Sequence, residues 1–95
     1  MAKLQTESVK RLYETILKLE SAQECAKFFE DICTIKEIKD MAQRLDIALM
    51  LDEGKNYQDI TETTGISTAT ISRVSRCLNY GEGGYKLAIS KIKNK

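Results

Sequence analysis

Ninety-five residues set the scale of one domain, and 42% apolar residues furnish a thin core, with two Phe and four Tyr as its only large rings. The chain has no histidine and no proline, so the commonest zinc ligand is missing and the usual breakers of long loops are absent; an all-α bundle with short connections fits best. A formal net charge of +1 decides nothing alone, but from Ser67 onward Arg73, Arg76, Lys86, Lys91, Lys93 and Lys95 face the single acid Glu82, the asymmetry of a one-sided nucleic-acid footprint or of a solvated face with a basic tail.

Taken in chain order, Val9, Leu12, Ile16 and Leu19, with Tyr13 and Leu17 beside them, recur at helical spacing and predict a first helix over Thr6–Glu20. Ser21 followed three residues later by Glu24 is a capping box, which opens a second helix with Cys25, Phe28, Phe29 and Ile32 as its inner face. Thr34 and Glu37 repeat the device and start a third helix that Gly54 ends. This helix begins amphipathic (Ile35, Ile38, Met41, Leu45) and then runs Ile47-Ala-Leu-Met-Leu51, apolar on nearly every side. A helix apolar all round must be covered all round. So short a chain has few elements for that, and a second copy is the expected cover; short neighbouring helices within the chain are the alternative.

Beyond Gly54, Asn56 is an N-cap for a short helix over Tyr57–Thr64, Ser67 caps another over Thr68–Asn79, and the tail from Tyr85 to Lys93 predicts a last one. The expected organisation is a single domain of about six helices: residues 1–54 for dimerisation and core, 57–79 for a helix-turn-helix, 85–93 for a C-terminal helix. The three cysteines, Cys25, Cys33 and Cys77, lie too far apart for a Cys-x-x-Cys motif and near apolar helical positions; reduced core thiols in a cytoplasmic protein are expected. Neither a charged-then-apolar leader nor an apolar run of about 18 residues occurs.

The stretch from Tyr57 to Arg76 has helix-turn-helix spacing, each part with a mechanical reason. Ile60 faces inward from the first helix. Gly65 supplies the positive φ of a tight turn between crossed helices. Ile66 plugs the corner, and Ile71, Val74 and Leu78 hold the second helix to the core, while the small Thr61 and Ala69 permit close approach. Ser67, Thr68, Ala69, Ser72, Arg73 and Arg76 remain outward, suited to a major groove about 12 Å wide. An ordinary solvated face would carry Glu and Lys, which form helix better than Ser and Thr; groove contact gives the Ser/Thr-rich face a reason.

At these residues the sequence resembles the Trp-repressor-like family, in particular its YerC/YecD branch. The likeness rests on Thr34 through Gly54, with Arg44 and the Leu49-Met-Leu-Asp-Glu-Gly54 ending, and on Gly65-Ile-Ser-Thr-Ala-Thr-Ile-Ser-Arg73. It implies a Trp-repressor-like bundle forming an intertwined homodimer, with two reading heads about one duplex turn apart. It also implies an effector pocket of Thr34, Arg44, Thr70, Arg73, Val74 and Cys77, where the repressor clamps tryptophan between two arginines. Val74 stands where the repressor has a glycine beside the indole, and Cys77 where it has a serine that receives the ligand's amine. A branched side chain fills that slot, overpacking costs roughly 1–3 kcal/mol, and a thiol is a poor acceptor for ammonium. No tryptophan dependence is expected, and no other cofactor; a different, anionic effector held by Arg44 and Arg73 is left open, as is an ion pair of Arg44 with Asp40 or Asp46. The first helix of the motif also carries Asp59 and Glu62 where cations would help, which moves phosphate contact onto Arg73, Arg76, Lys86 and backbone amides.

The expected function is a sequence-specific, double-stranded DNA-binding regulator of transcription, a repressor, with no membrane partner. The alternative is a helical interaction module whose exposed hairpin binds another regulator. Catalysis is not expected: there is no histidine, no metal-ligand spacing, and no phosphate-cradling glycine loop after a strand.

Overall fold

The computed structural model describes residues 6–94, which form six helices and, among the described residues, no strand. They are α1 (Glu7–Leu17), α2 (Ala22–Ile32), α3 (Ile35–Asp52), α4 (Tyr57–Thr64), α5 (Thr68–Tyr80) and α6 (Gly84–Lys93). Lys95, one of the cations counted above, lies outside the described residues.

Most helix starts follow from side-chain caps written in the sequence. Thr6 accepts from the Val9 amide at 3.1 Å and opens α1. That helix closes three residues before the expected end at Glu20. Its last amides tighten to i→i+3 bonds (Lys18 to Thr15, Leu19 to Ile16), and the Glu20 N–H donates to the Glu24 carboxylate at 2.8 Å instead of continuing α1. The Ser21 box is therefore half formed. Its hydroxyl accepts from the Glu24 amide at 3.1 Å, but Glu24 reaches one residue further back than the Ser21 amide. The Thr34–Glu37 box is complete, with both reciprocal bonds made, at 3.1 and 2.8 Å. At its far end α3 closes in a Schellman arrangement. The Gly54 N–H meets the Leu51 carbonyl, the Lys55 N–H meets the Met50 carbonyl, and Gly54 takes φ +88°.

The chain divides into two compact units, residues 1–39 and 40–95. In the first, no described residue is buried. Val9, Ile16 and Leu19 of the α1 segment and Cys25, Phe28 and Phe29 of α2 are half-buried, with the two phenyl rings edge to face at 5.5 Å. Leu17 and Ile35 are 83% and 71% exposed. The second unit holds the core: Ile47 and Ala48 of α3, Ile60 of α4, Ile66 of the turn, Ile71, Val74 and Leu78 of α5, and Ile89 of α6. Each fully buried Ile or Val there contributes about 1.5–3 kcal/mol relative to an exposed position. Leu49, Met50 and Leu51 pack against this cluster but stay only half-buried. An ion pair from Lys93 to Asp52 ties the end of α6 to the end of α3. Its hydrogen bond, then Coulombic attraction, raises the Lys93 pKa above the ordinary lysine value. Among the described residues no helix is long and apolar enough to cross a membrane.

Candidate nucleic-acid interface

Helix α4 starts on Asn56, whose side chain accepts from the Asp59 amide at 2.8 Å. It turns Ile60 fully inward and ends at Gly65, which adopts φ +76° while its N–H bonds the Thr61 carbonyl at 2.7 Å. This is the left-handed closure that lets the chain reverse within a few residues. Thr64 then stitches the corner. Its hydroxyl donates to the Ile60 carbonyl at 2.6 Å and accepts from the Ile66 amide at 3.1 Å. With Ile66 buried below, the turn is held from both sides. The sequence assigns the corner to Gly65 and Ile66, and the only sign of this further hydroxyl is a Thr just before the closing glycine, since such side chains bond to nearby backbone groups.

Ser67 caps α5, accepting from the Thr70 amide at 3.3 Å, and its hydroxyl also donates to the Thr70 hydroxyl at 3.2 Å. Ile71, Val74 and Leu78, spaced by three and four residues, form one buried stripe along α5. The rest of the helix is thereby aimed. Ser67, Thr68, Ala69, Arg73 and Arg76 are exposed, and Ser72 is half-buried at the edge of the face. Ala69 therefore does not serve the close packing expected of it, whereas Thr61 is half-buried. Helices α1 to α4 each place one acid in their first turn (Glu7, Glu24, Glu37, Asp59), and α5 places none. Its positive dipole end and first amides are left without a local carboxylate.

The residues of the expected effector pocket are distributed differently from one another. Thr34 is spent as the cap of α3. Arg44 on α3 and Arg73 on α5 are exposed, and Thr70 is half-buried and bonded to Ser67. Val74 is 1% exposed, inside the core. Cys77 corrects an expectation: it is an exposed free thiol, not a core one, because it sits about 100° around the helix from its neighbour Leu78, which completes the buried stripe. Cys25 and Cys33 are free and half-buried. A cleft of about 390 Å³ does open in this unit, beside Leu51, Asp52, Leu78, Lys86, Ile89 and Lys93, and none of the six pocket residues lines it.

The model of the Trp repressor protein family matches residues 7–93, and the chain belongs to that family. It is 50% identical over 91 residues to the uncharacterized protein YerC of Bacillus subtilis (strain 168), covering 96% of this chain and 88% of that protein. Two solved structures share the fold. One is a TrpR-like protein from Eubacterium eligens ATCC 27750, with a TM-score of 0.92, 48% identity, and coverage of 99% of this chain and 97% of that one. The other is a candidate Trp repressor from Staphylococcus aureus, with a TM-score of 0.91, 39% identity, and coverage of 99% and 94%.

Proposed function

We propose that the protein is a cytoplasmic transcriptional regulator, a repressor, that binds double-stranded DNA sequence-specifically as a homodimer and needs no tryptophan to do so. One observation carries the reading. Helix α5 is fixed to the core by Ile71, Val74 and Leu78 and turns Thr68, Ala69, Arg73 and Arg76 to solvent behind a tight Gly65 turn. A helix so presented enters a major groove with its N-terminal residues on base edges. The small Thr68, Ala69 and Ser72 permit close approach, the two arginines reach guanine edges or phosphates, and the N-terminus, capped by Ser67 but with no acid in its first turn, favours a phosphate.

Support for the homodimer comes from apolar surface. The half-buried Leu49–Leu51 run, and α1 and α2 with no buried residue, leave faces that a second copy would cover. Support for tryptophan independence comes from Val74, whose side chain occupies the core where an indole would need a slot.

The test is selection of bound duplexes from a random pool at near-physiological salt with no ligand added. A two-fold-symmetric site with half-sites about 10 base pairs apart is the expected product. Recovery of nothing, with the same result after small anionic metabolites are supplied, would overturn the reading in favour of a protein-binding hairpin. Such binding would respond weakly to salt, whereas duplex binding weakens steeply.

A further inference from the structure

Helix α4 carries an acid whose charge is unfavourably placed for the helix. The inward positions are Ile60, fully buried, with Thr61 and Thr64 half-buried; Tyr57, Gln58, Asp59, Glu62 and Thr63 are exposed. Asp59 has a local reason, since it lies in the first turn, where a carboxylate complements the helix dipole. Glu62 has the opposite placement. It is the sixth residue of eight, toward the negative end, and it follows the like charge of Asp59 at a spacing of three. The hydrogen bond from the Gln58 amide to its carboxylate, at 3.2 Å, holds the charge on the outer face. A glutamine there would escape both penalties while still offering an oxygen to the Gln58 amide.

We propose that Glu62 is a charge brake on DNA binding, an inference that rests on the duplex-binding reading above. In a helix-turn-helix the first helix crosses the sugar-phosphate backbone while the second enters the groove. A fixed carboxylate on the exposed face of α4 repels that backbone. Phosphate attraction is sequence-independent, so the brake weakens the hold on random and operator duplex alike, and the base contacts of α5 must make up the difference at the operator.

The experiment measures binding of the full chain to a random-sequence duplex of about 25 base pairs by fluorescence anisotropy, over roughly 50 to 200 mM salt. Glu62→Gln, Glu62→Lys and Arg76→Ala are compared with the unaltered protein, each checked for helicity by circular dichroism. Removing the carboxylate in Glu62→Gln should tighten binding about threefold at the low-salt end, an effect that fades as salt screens it. Glu62→Lys should tighten it further and steepen the salt dependence by about one phosphate's worth. If Arg76→Ala weakens binding while Glu62→Gln leaves it unchanged, the brake is refuted and the DNA reading stands. An effect from Glu62→Lys alone also refutes it, since the added cation would then be the cause. If no form of the protein binds duplex, the DNA reading and the brake fall together.

Discussion

Val74 is where packing and ligand logic meet, so its substitution tests both. The side chain is 1% exposed in the second unit's core, between Ile71 and Leu78 on the same stripe of α5. Val74→Ala removes two methyl groups from that environment, about 1.6 kcal/mol of transfer free energy at about 0.8 kcal/mol per group. The unfilled space adds roughly another 1 kcal/mol at about 24 cal/mol per Å³, for a loss of about 2–3 kcal/mol. Val74→Gly, which restores the residue the tryptophan-binding repressor carries there, adds roughly 1 kcal/mol for glycine inside a helix. Set against a typical total of about 5–15 kcal/mol, either change is large but survivable. Urea unfolding at one fixed protein concentration would show a lower midpoint with an unchanged slope. Calorimetry of the unaltered protein with L-tryptophan should register no binding. A Val74→Ala cost under about 0.5 kcal/mol would mean that Val74 does not fill the core. Micromolar tryptophan binding by the unaltered chain would refute the steric argument outright.

Three further outcomes are expected. Gly65→Ala meets no neighbouring atom, so only its φ of +76° penalises the change; thermal unfolding should show a loss of about 1 kcal/mol, and an unchanged midpoint would remove the strain argument. Thr68→Tyr sits on the exposed face and should abolish operator binding in anisotropy while leaving helicity and midpoint unaltered; retained binding would place the reading head elsewhere. The Lys93–Asp52 pair has a pH signature. Because the Lys93 pKa is raised in the folded state, its stabilisation is present below the unfolded value of about 10.4 and is lost as pH rises through the folded one. Lys93→Met should therefore lower the urea midpoint at about pH 7 to 9, with the difference vanishing at the alkaline extreme; a difference that persists there would exclude the pair as its cause.

What the sequence made legible was what local chemistry determines. The bounds of α4, the Ser67 cap, the φ of Gly65 and the inward stripe Ile71–Val74–Leu78 each follow from one residue type at one spacing. Less legible was anything that depends on which of two nearby partners a group selects. Glu24 had the Ser21 and Glu20 amides within reach, and taking the second shortened α1. Cys77 adjoins Leu78 on α5, and the stripe through Ile71, Val74 and Leu78 already turned it outward, so the expectation of a core thiol followed residue type against the periodicity. The Lys93–Asp52 pair joins residues 41 apart, a separation over which no periodicity carries information.

The apolar residues left outside the core follow a related logic. Periodicity says that a face must be covered, and burial within the chain says how far the chain covers it. In α5 the two agree, and the stripe is closed by its own neighbours. In α1 and α2 they disagree, because the pattern is as amphipathic as that of α5 yet no residue is buried. The same holds for Tyr80 and Leu87 at 86% and 61% exposure, which no described element of the second unit covers. Such a mismatch between pattern and burial separates a helix made for its own chain from one whose face awaits another. It assigns α4 and α5, the proposed reading head, to the self-sufficient class, with their geometry fixed by Ile60, Ile66, Ile71 and Val74. For the proposed homodimer, dissociation by dilution should abolish operator binding through loss of the second head, while the surviving fold of α4 and α5 keeps its slow amide exchange at Ile71 and Val74. Loss of that protection together with binding would show that the reading head, too, depends on the partner.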